Sequence, residues 1–287
     1  MSTSASVSAS GSAWERALAA AAFHGAPGDA VELLAGLDPA GPLPDRVRWL
    51  AGVCLGAVGR YGTAERWLLP GPAASPTASS LALSCRASHL RQLGRHAEAE
   101  PLDTAALAAA TDPEARADAL VGLVADAVGR LDLRTAQHRL DAARAEVASR
   151  DSQRRAGDSQ WRREVRLAWV TAEVSLLGDD PATAATAARS AFARSRSATA
   201  CRHAVKSQLV LGAALEAAGR TRAATRVLRA VAAGADRLGL LPLVWPARTV
   251  LARMLGPRAP ETAARERQQV ISAQSIIEGS ADCCTTR

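Results

Sequence analysis

Along this chain, apolar runs of helical length end repeatedly on a glycine, and an alanine-bearing stretch follows each one. Six segments share this layout: FHGAPGDAVELL, AVGRYGTAERWL, QLGRHAEAEPL, AVGRLDLRTAQHRL, LLGDDPATAATA and AAGRTRAATRVL. Their glycines are Gly25, Gly59, Gly94, Gly129, Gly178 and Gly219, spaced by 34, 35, 35, 49 and 41 residues. Glycine enters the left-handed backbone region at little cost, which is what the end of a helix requires. The pattern predicts about fourteen helices, over 13–24, 28–36, 44–58, 62–69, 77–93, 96–110, 113–129, 132–150, 160–177, 181–196, 199–218, 221–238, 244–255 and 260–276. Ser12 with Glu15 and Thr111 with Glu114 have capping-box spacing. Pro113 and Pro181 fit a first helical turn, whereas Pro101 should bend its helix or delay its start.

The repeat extends beyond its glycine. Seven residues earlier stand Leu18, Gly52, Ala87, Gly122, Thr171 and Gly212, mostly small residues where two helices would cross closely. Five residues later stand Ala30, Ala64, Ala99, Arg134, Thr183 and Ala224. In the fourth repeat Ala136 would take that place if the turn were two residues longer. On these residues, 13 to about 240 resembles the tetratricopeptide repeats, whose period is about 34 residues. The best matches are 46–69, 81–110 and 205–231; Tyr61 and His96 fit the aromatic position two residues after the glycine. The stretch 207–255 is also similar to helical arrays of large bacterial transcriptional regulators. Those arrays flank an ATPase module and a helix-turn-helix, and this chain has no phosphate-binding G-x-x-x-x-G-K-[ST]. The resemblance implies an all-α fold, an α-solenoid of about six TPR-like antiparallel helical hairpins plus C-terminal helices.

Composition agrees. Alanine dominates the apolar residues and aromatics make up only 3%, which favours helices over strands. The polar segment 151–159 (DSQRRAGDS) accounts for the long spacing. It divides the expected organisation into a first sub-array, 13–150, and a second with capping helices, 160–277. Residues 1–11 and 279–287 are short, polar and expected to be disordered tails.

Charge adds an asymmetry. The formal net charge is +7, and Lys206 is the only lysine. Between 189 and 229 nine basic residues face Glu216 alone, a segment charge of +8, so the rest of the chain sums to −1. The five cysteines form no C-x-x-C, which points to a reducing compartment and not to a disulfide framework. No run approaches the roughly 18 apolar residues of a membrane span, and the N-terminus lacks a signal-peptide pattern. The expected location is cytoplasmic.

Chemistry-bearing motifs are missing. There is no H-E-x-x-H, G-x-S-x-G or G-x-G-x-x-G, and the histidines are isolated. No enzyme activity, cofactor or metal is expected. Binding surfaces come from the family's geometry, which turns the first helix of each hairpin inward. That nominates Arg46, Trp49, Arg91, Gln92 and Arg116 as partner-binding residues, with Val53, Ser84, Ser88, Leu123, Asp126, Lys206, Leu209 and Glu216 on the same face. Trp49 has two readings: an exposed anchor beside arginines, or packing between repeats. Arg202, His203 and Lys206 lie on one helical face and form a candidate anion site, against the plainer reading of a solvated basic face. Trp161, Arg162, Arg163, Arg166 and Trp169 mix aromatics with arginine, as a nucleic-acid surface would, or serve in packing. The expected function is a non-enzymatic protein–protein interaction scaffold that takes a protein or peptide of acidic character in a concave groove. The alternative is a nucleic-acid or regulator-associated module using the basic 189–229 stretch.

Overall fold

The computed structural model describes residues 3–69, 74–149 and 160–255. Among them are helices and turns and no strand. The helices are α1 (Thr3–Ala19), which runs into a π-helical turn (Ala20–His24), α2 (Asp29–Leu34), α3 (Asp45–Ala57), α4 (Tyr61–Leu68), α5 (Pro76–Gln92), α6 (His96–Ala109) and α7 (Pro113–Gly129). They continue as α8 (Leu133–Ala148), α9 (Gln160–Leu177), α10 (Pro181–Ser197), α11 (Cys201–Ala217), α12 (Thr221–Arg237) and α13 (Leu241–Leu255). Consecutive helices pack as antiparallel hairpins, and α9 also packs on α7 and α8, so contact continues past 150–159. The expected helix 260–276, the loop 151–159 and the tail 279–287 lie outside the described residues.

The turns explain the glycine pattern. Arg60, Arg95 and Arg220 each donate a backbone N–H back to Leu55, Leu90 and Leu215, closing the helix end across a left-handed residue. That residue is Gly59 (φ 83°), Gly94 (φ 75°) or Gly219 (φ 69°). In the fourth and fifth hairpins the turn falls later. Leu131 (φ 60°) and Asp179 (φ 59°) take the left-handed position, two and one residues beyond Gly129 and Gly178. Counting five residues from the left-handed position gives Ala64, Ala99, Ala136, Ala184 and Ala224, each fully buried. The two repeats that looked irregular are therefore regular once the register follows the backbone. Close crossing needs the small residues: a Cβ on Gly212 would come within 2.5 Å of Leu228, and one on Gly52 would overlap Leu68.

Three expectations need correction. Residues 1–11 were expected to be a disordered tail, but the backbone is helical from Thr3. This stretch has no proline, so a helix anchored by Trp14 and Leu18 propagates toward the N-terminus, and Ser12 lies inside α1 rather than at its start. Asp112, not Thr111, caps α7, accepting the Ala115 N–H at 2.9 Å. Its carboxylate accepts in the first turn, and Pro113 follows as the first helical residue. Pro101 lies within α6 and delays nothing, because α6 already begins at His96.

The core is alanine-rich and falls into several clusters along the array. One cluster joins the π-helical turn, α3 and α4, and Trp161 of α9 packs against it. Another joins Ala57 at the end of α3 to Leu240, Leu243 and Val244 at the start of α13. The inner helices thus curve far enough for the third helix to meet the last described one.

Candidate functional site

The inner helices surround a partly open cavity. Two of them contribute side chains one helical turn apart, Trp49 and Val53 from α3 and Ser84, Ser88 and Gln92 from α5, and α7 contributes Asp118. The far side comes from Arg162, Arg166 and Trp169 of α9 and Arg202, His203 and Lys206 of α11. Pro242 and Leu243 of α13 and Phe23 of the π-helical turn complete it.

One wall is aromatic. Phe23 lies 6.0 Å from Trp49 and 6.2 Å from the His203 ring, centroid to centroid. His203 also stacks on Trp169 at 5.3 Å and meets the edge of Trp161 at 4.9 Å. The Trp169 indole donates to Ser207 Oγ at 2.9 Å, which fixes its ring. Trp49 is only 3% exposed, so it packs between repeats, and the little surface it keeps lines the cavity. Arg162 sits 5.5 Å from both the Phe23 and Trp49 rings.

The other wall is cationic. Arg162, Arg166, Arg202 and Lys206 line the cavity with one carboxylate, Asp118. Arg162 donates to both Asp118 oxygens, at 3.1 and 2.7 Å, and pairs with Glu114 at 3.3 Å. Arg166 Nε lies 2.9 Å from Asp118 Oδ1. Burial opposes the charge on Asp118, yet Arg162 and Arg166 outweigh it and hold its carboxyl below the usual carboxylate range. Among the described residues, neither Arg202 nor Lys206 has a carboxylate partner. Lys206 Nζ instead sits 4.5 Å over the Trp169 ring. Burial, only partly offset by Glu173, and then Arg166 and Arg202 push Lys206 down to about 8. Burial and the neighbouring cations push His203 far below its ordinary value, so its imidazole is neutral. Its Nδ1 is buried without a hydrogen-bond partner among the described residues.

The structure therefore brings Trp49, Gln92, Arg202, His203 and Lys206 to one cavity, although α3 and α11 lie 150 residues apart in sequence. It moves three nominated residues elsewhere. Arg91 points between helices, where Asp103 and Asp126 neutralise it, the second at 3.1 Å. Arg116 pairs with Glu146 at 3.2 Å, and Arg46 bridges Glu15 and Glu114 while lying 4.7 Å over Trp49. None of the three lines the cavity, because carboxylates on adjacent helices claim them first. The basic stretch 189–229 divides as well. Arg202 and Lys206 turn inward, whereas Arg189, Arg196, Arg222, Arg226 and Arg229 are exposed on the outer helices. Sequence reasoning did not place Phe23, His89 or Asp118 at the site, and it grouped Arg162 and Arg166 with a nucleic-acid surface. Their four-residue spacing on a first helix was the usable signal.

No family model matches the chain, and no curated protein matches it. Among solved structures, a Rap protein complexed with competence and sporulation factor superposes with a TM-score of 0.64. The match covers 96% of this chain and 78% of that one, at 12% sequence identity. The fold is a tetratricopeptide-like helical repeat. At this identity the likeness concerns the fold and not the ligand. No helix among the described residues is long and apolar enough to cross a membrane.

Proposed function

We propose that this chain is a non-enzymatic binding scaffold that takes a peptide or protein segment of acidic character in the cavity between its inner helices. The observation that carries the reading is the cavity itself, built from successive repeats, with an aromatic wall for apolar groups and a cationic wall opposite. The related fold in the Rap structure holds a bound factor, which supports the same use of the fold here. Buried free Cys54 and Cys85, with thiols pushed up by burial to about 12, fit a reducing, cytoplasmic setting. Affinity purification with the full chain tests this. A Gln92→Trp variant places a large ring in the cavity while replacing only a half-buried side chain. The wild type should recover a partner that this variant loses. Equal recovery by both would remove the cavity as the binding site.

A second reading rests on the exposed arginines of α10 and α12, which could follow a phosphate backbone. Binding of DNA or RNA at low salt that weakens steeply as salt rises would favour it. An absence of binding at low salt would end it.

A further inference from the structure

Unpaired cations in a partly closed site are costly. A charge removed from water loses hydration, and a partner or a ligand must restore the balance. At most places in this chain a carboxylate does so: Arg91 has Asp103 and Asp126, Arg139 has Glu100, and Arg162 has Asp118 and Glu114. Two cations on α11 differ from these. Arg202 and Lys206, one turn apart, face the cavity with no carboxylate partner among the described residues. Arg166 approaches from α9, but its one carboxylate partner among the described residues, Asp118, is shared with Arg162. His203 between them is neutral and supplies no counter-charge. The aromatic rings of Trp49, Phe23 and Trp169 reduce the water available to screen these cations.

We propose that Arg202, Lys206 and Arg166 form an internal site for a doubly charged anionic group, either a phosphoryl group or two adjacent carboxylates. The proposal rests on the cavity being the binding site and names the chemistry recognised there. Two cations lack a carboxylate partner among the described residues and a third shares one, so a dianion matches the charge better than a single carboxylate. The arginine forks offer paired N–H donors, and the ammonium offers a compact third contact.

The test is a calorimetric titration of inorganic phosphate into the full-length chain at low ionic strength. The wild type should bind phosphate saturably, one per chain. Lys206→Met and Arg202→Met should each weaken binding by about tenfold or more. Both variants should also melt no lower than the wild type in the absence of phosphate, because each removes a partly buried charge that has no carboxylate partner among the described residues. A control, Arg144→Ser with Arg237→Ser, lowers surface charge away from the cavity and should leave the affinity unchanged. No saturable binding, or binding that survives both α11 substitutions, overturns the site. So does loss of binding in the surface control, which would mean a general charge effect. The source of the anion is read by competition. A short alanine peptide with two adjacent glutamates should displace phosphate, while its glutamine counterpart should not. If phosphate binds at Arg202 and Lys206 but the glutamate peptide does not compete, the anion site stands as a phosphoryl site and the peptide reading of the cavity fails.

Discussion

Arg162 of α9 grips Asp118 of α7 with two hydrogen bonds, 3.1 and 2.7 Å long, and Arg166 reaches the same carboxylate at 2.9 Å. One buried acid thus joins two hairpins and restrains two cations. Removing it leaves Arg166 without a carboxylate among the described residues and Arg162 with Glu114 alone, whereas removing Arg162 still leaves Asp118 with Arg166. Asp118→Asn should therefore cost about 3–5 kcal/mol of stability, and Arg162→Met distinctly less. Urea denaturation of both variants checks the order. A smaller loss for Asp118→Asn than for Arg162→Met would show that the pair does not hold this seam.

Lys206 makes stability depend on pH with a definite sign. Its folded value, about 8, lies below the ordinary lysine value, because burial and neighbouring cations disfavour its charge. Between about 8 and 10.5 the unfolded chain holds a proton that the folded one has released, so this group adds stability as pH rises through that window. Below about 8 both states are charged and the full penalty applies. Lys206→Met should therefore be more stable than the wild type at pH 7, and its advantage should shrink as pH approaches 10.5. Paired melts across this range measure the difference, in which other titrating groups largely cancel. An advantage that stays constant with pH would mean that lysine desolvation is not its source.

Asp103 gives the opposite slope. It is fully buried beside Arg91, and Asp126 approaches the same guanidinium. Burial, then the neighbouring Asp126 charge, push its carboxyl up to about 7 against the pull of Arg91. Between about 4 and 7 the folded chain holds a proton that the unfolded chain has lost, so this group removes stability as pH rises. Asp103→Asn keeps a neutral side chain at every pH and leaves Arg91 with Asp126. Its stability relative to the wild type should rise by about 1–3 kcal/mol between pH 4 and pH 8. Denaturant titrations at the two pH values decide it, and a flat difference would place the shared proton elsewhere.

How much of this was legible in the sequence depends on how local each feature is. The helix ends at Gly59, Gly94 and Gly219 could be read because one glycine and its neighbours determine the turn. The fourth and fifth turns misled the glycine count, since Leu131 and Asp179 accept left-handed backbone that glycine would ordinarily supply. The inward face of α3, α5 and α11 was what the family resemblance implied, and it included Trp49, Gln92 and Lys206, which line the cavity. The fate of each arginine was not legible. Arg91 and Arg202 look alike in sequence, but one meets Asp103 and Asp126 across a hairpin and the other faces residues far along the chain. Spacing within one helix carries no information about which carboxylate an adjacent helix presents. The meeting of α3 with α13 was hidden for a related reason, because small tilts add up over many hairpins.

The two kinds of turn supply a final prediction, with opposite signs at equivalent positions. Leu131 holds φ at 60° with its side chain 76% exposed, so it pays the left-handed strain without burying apolar surface in return. Its backbone N–H still donates to the Val128 carbonyl at 2.9 Å, a bond that glycine would keep. Glycine costs some unfolded-state entropy, but relief of the strained backbone outweighs it. Leu131→Gly should stabilise the chain by about 0.5–1 kcal/mol. Gly219 occupies the matching place two hairpins later with φ 69°, and a Cβ there would meet nothing within 4 Å. Backbone strain is then the only new cost, and Gly219→Ala should destabilise by about 1 kcal/mol. Urea midpoints for the two variants should move in opposite directions from the wild type. A shift of the same sign in both would mean that the left-handed residue does not set the energy of these turns.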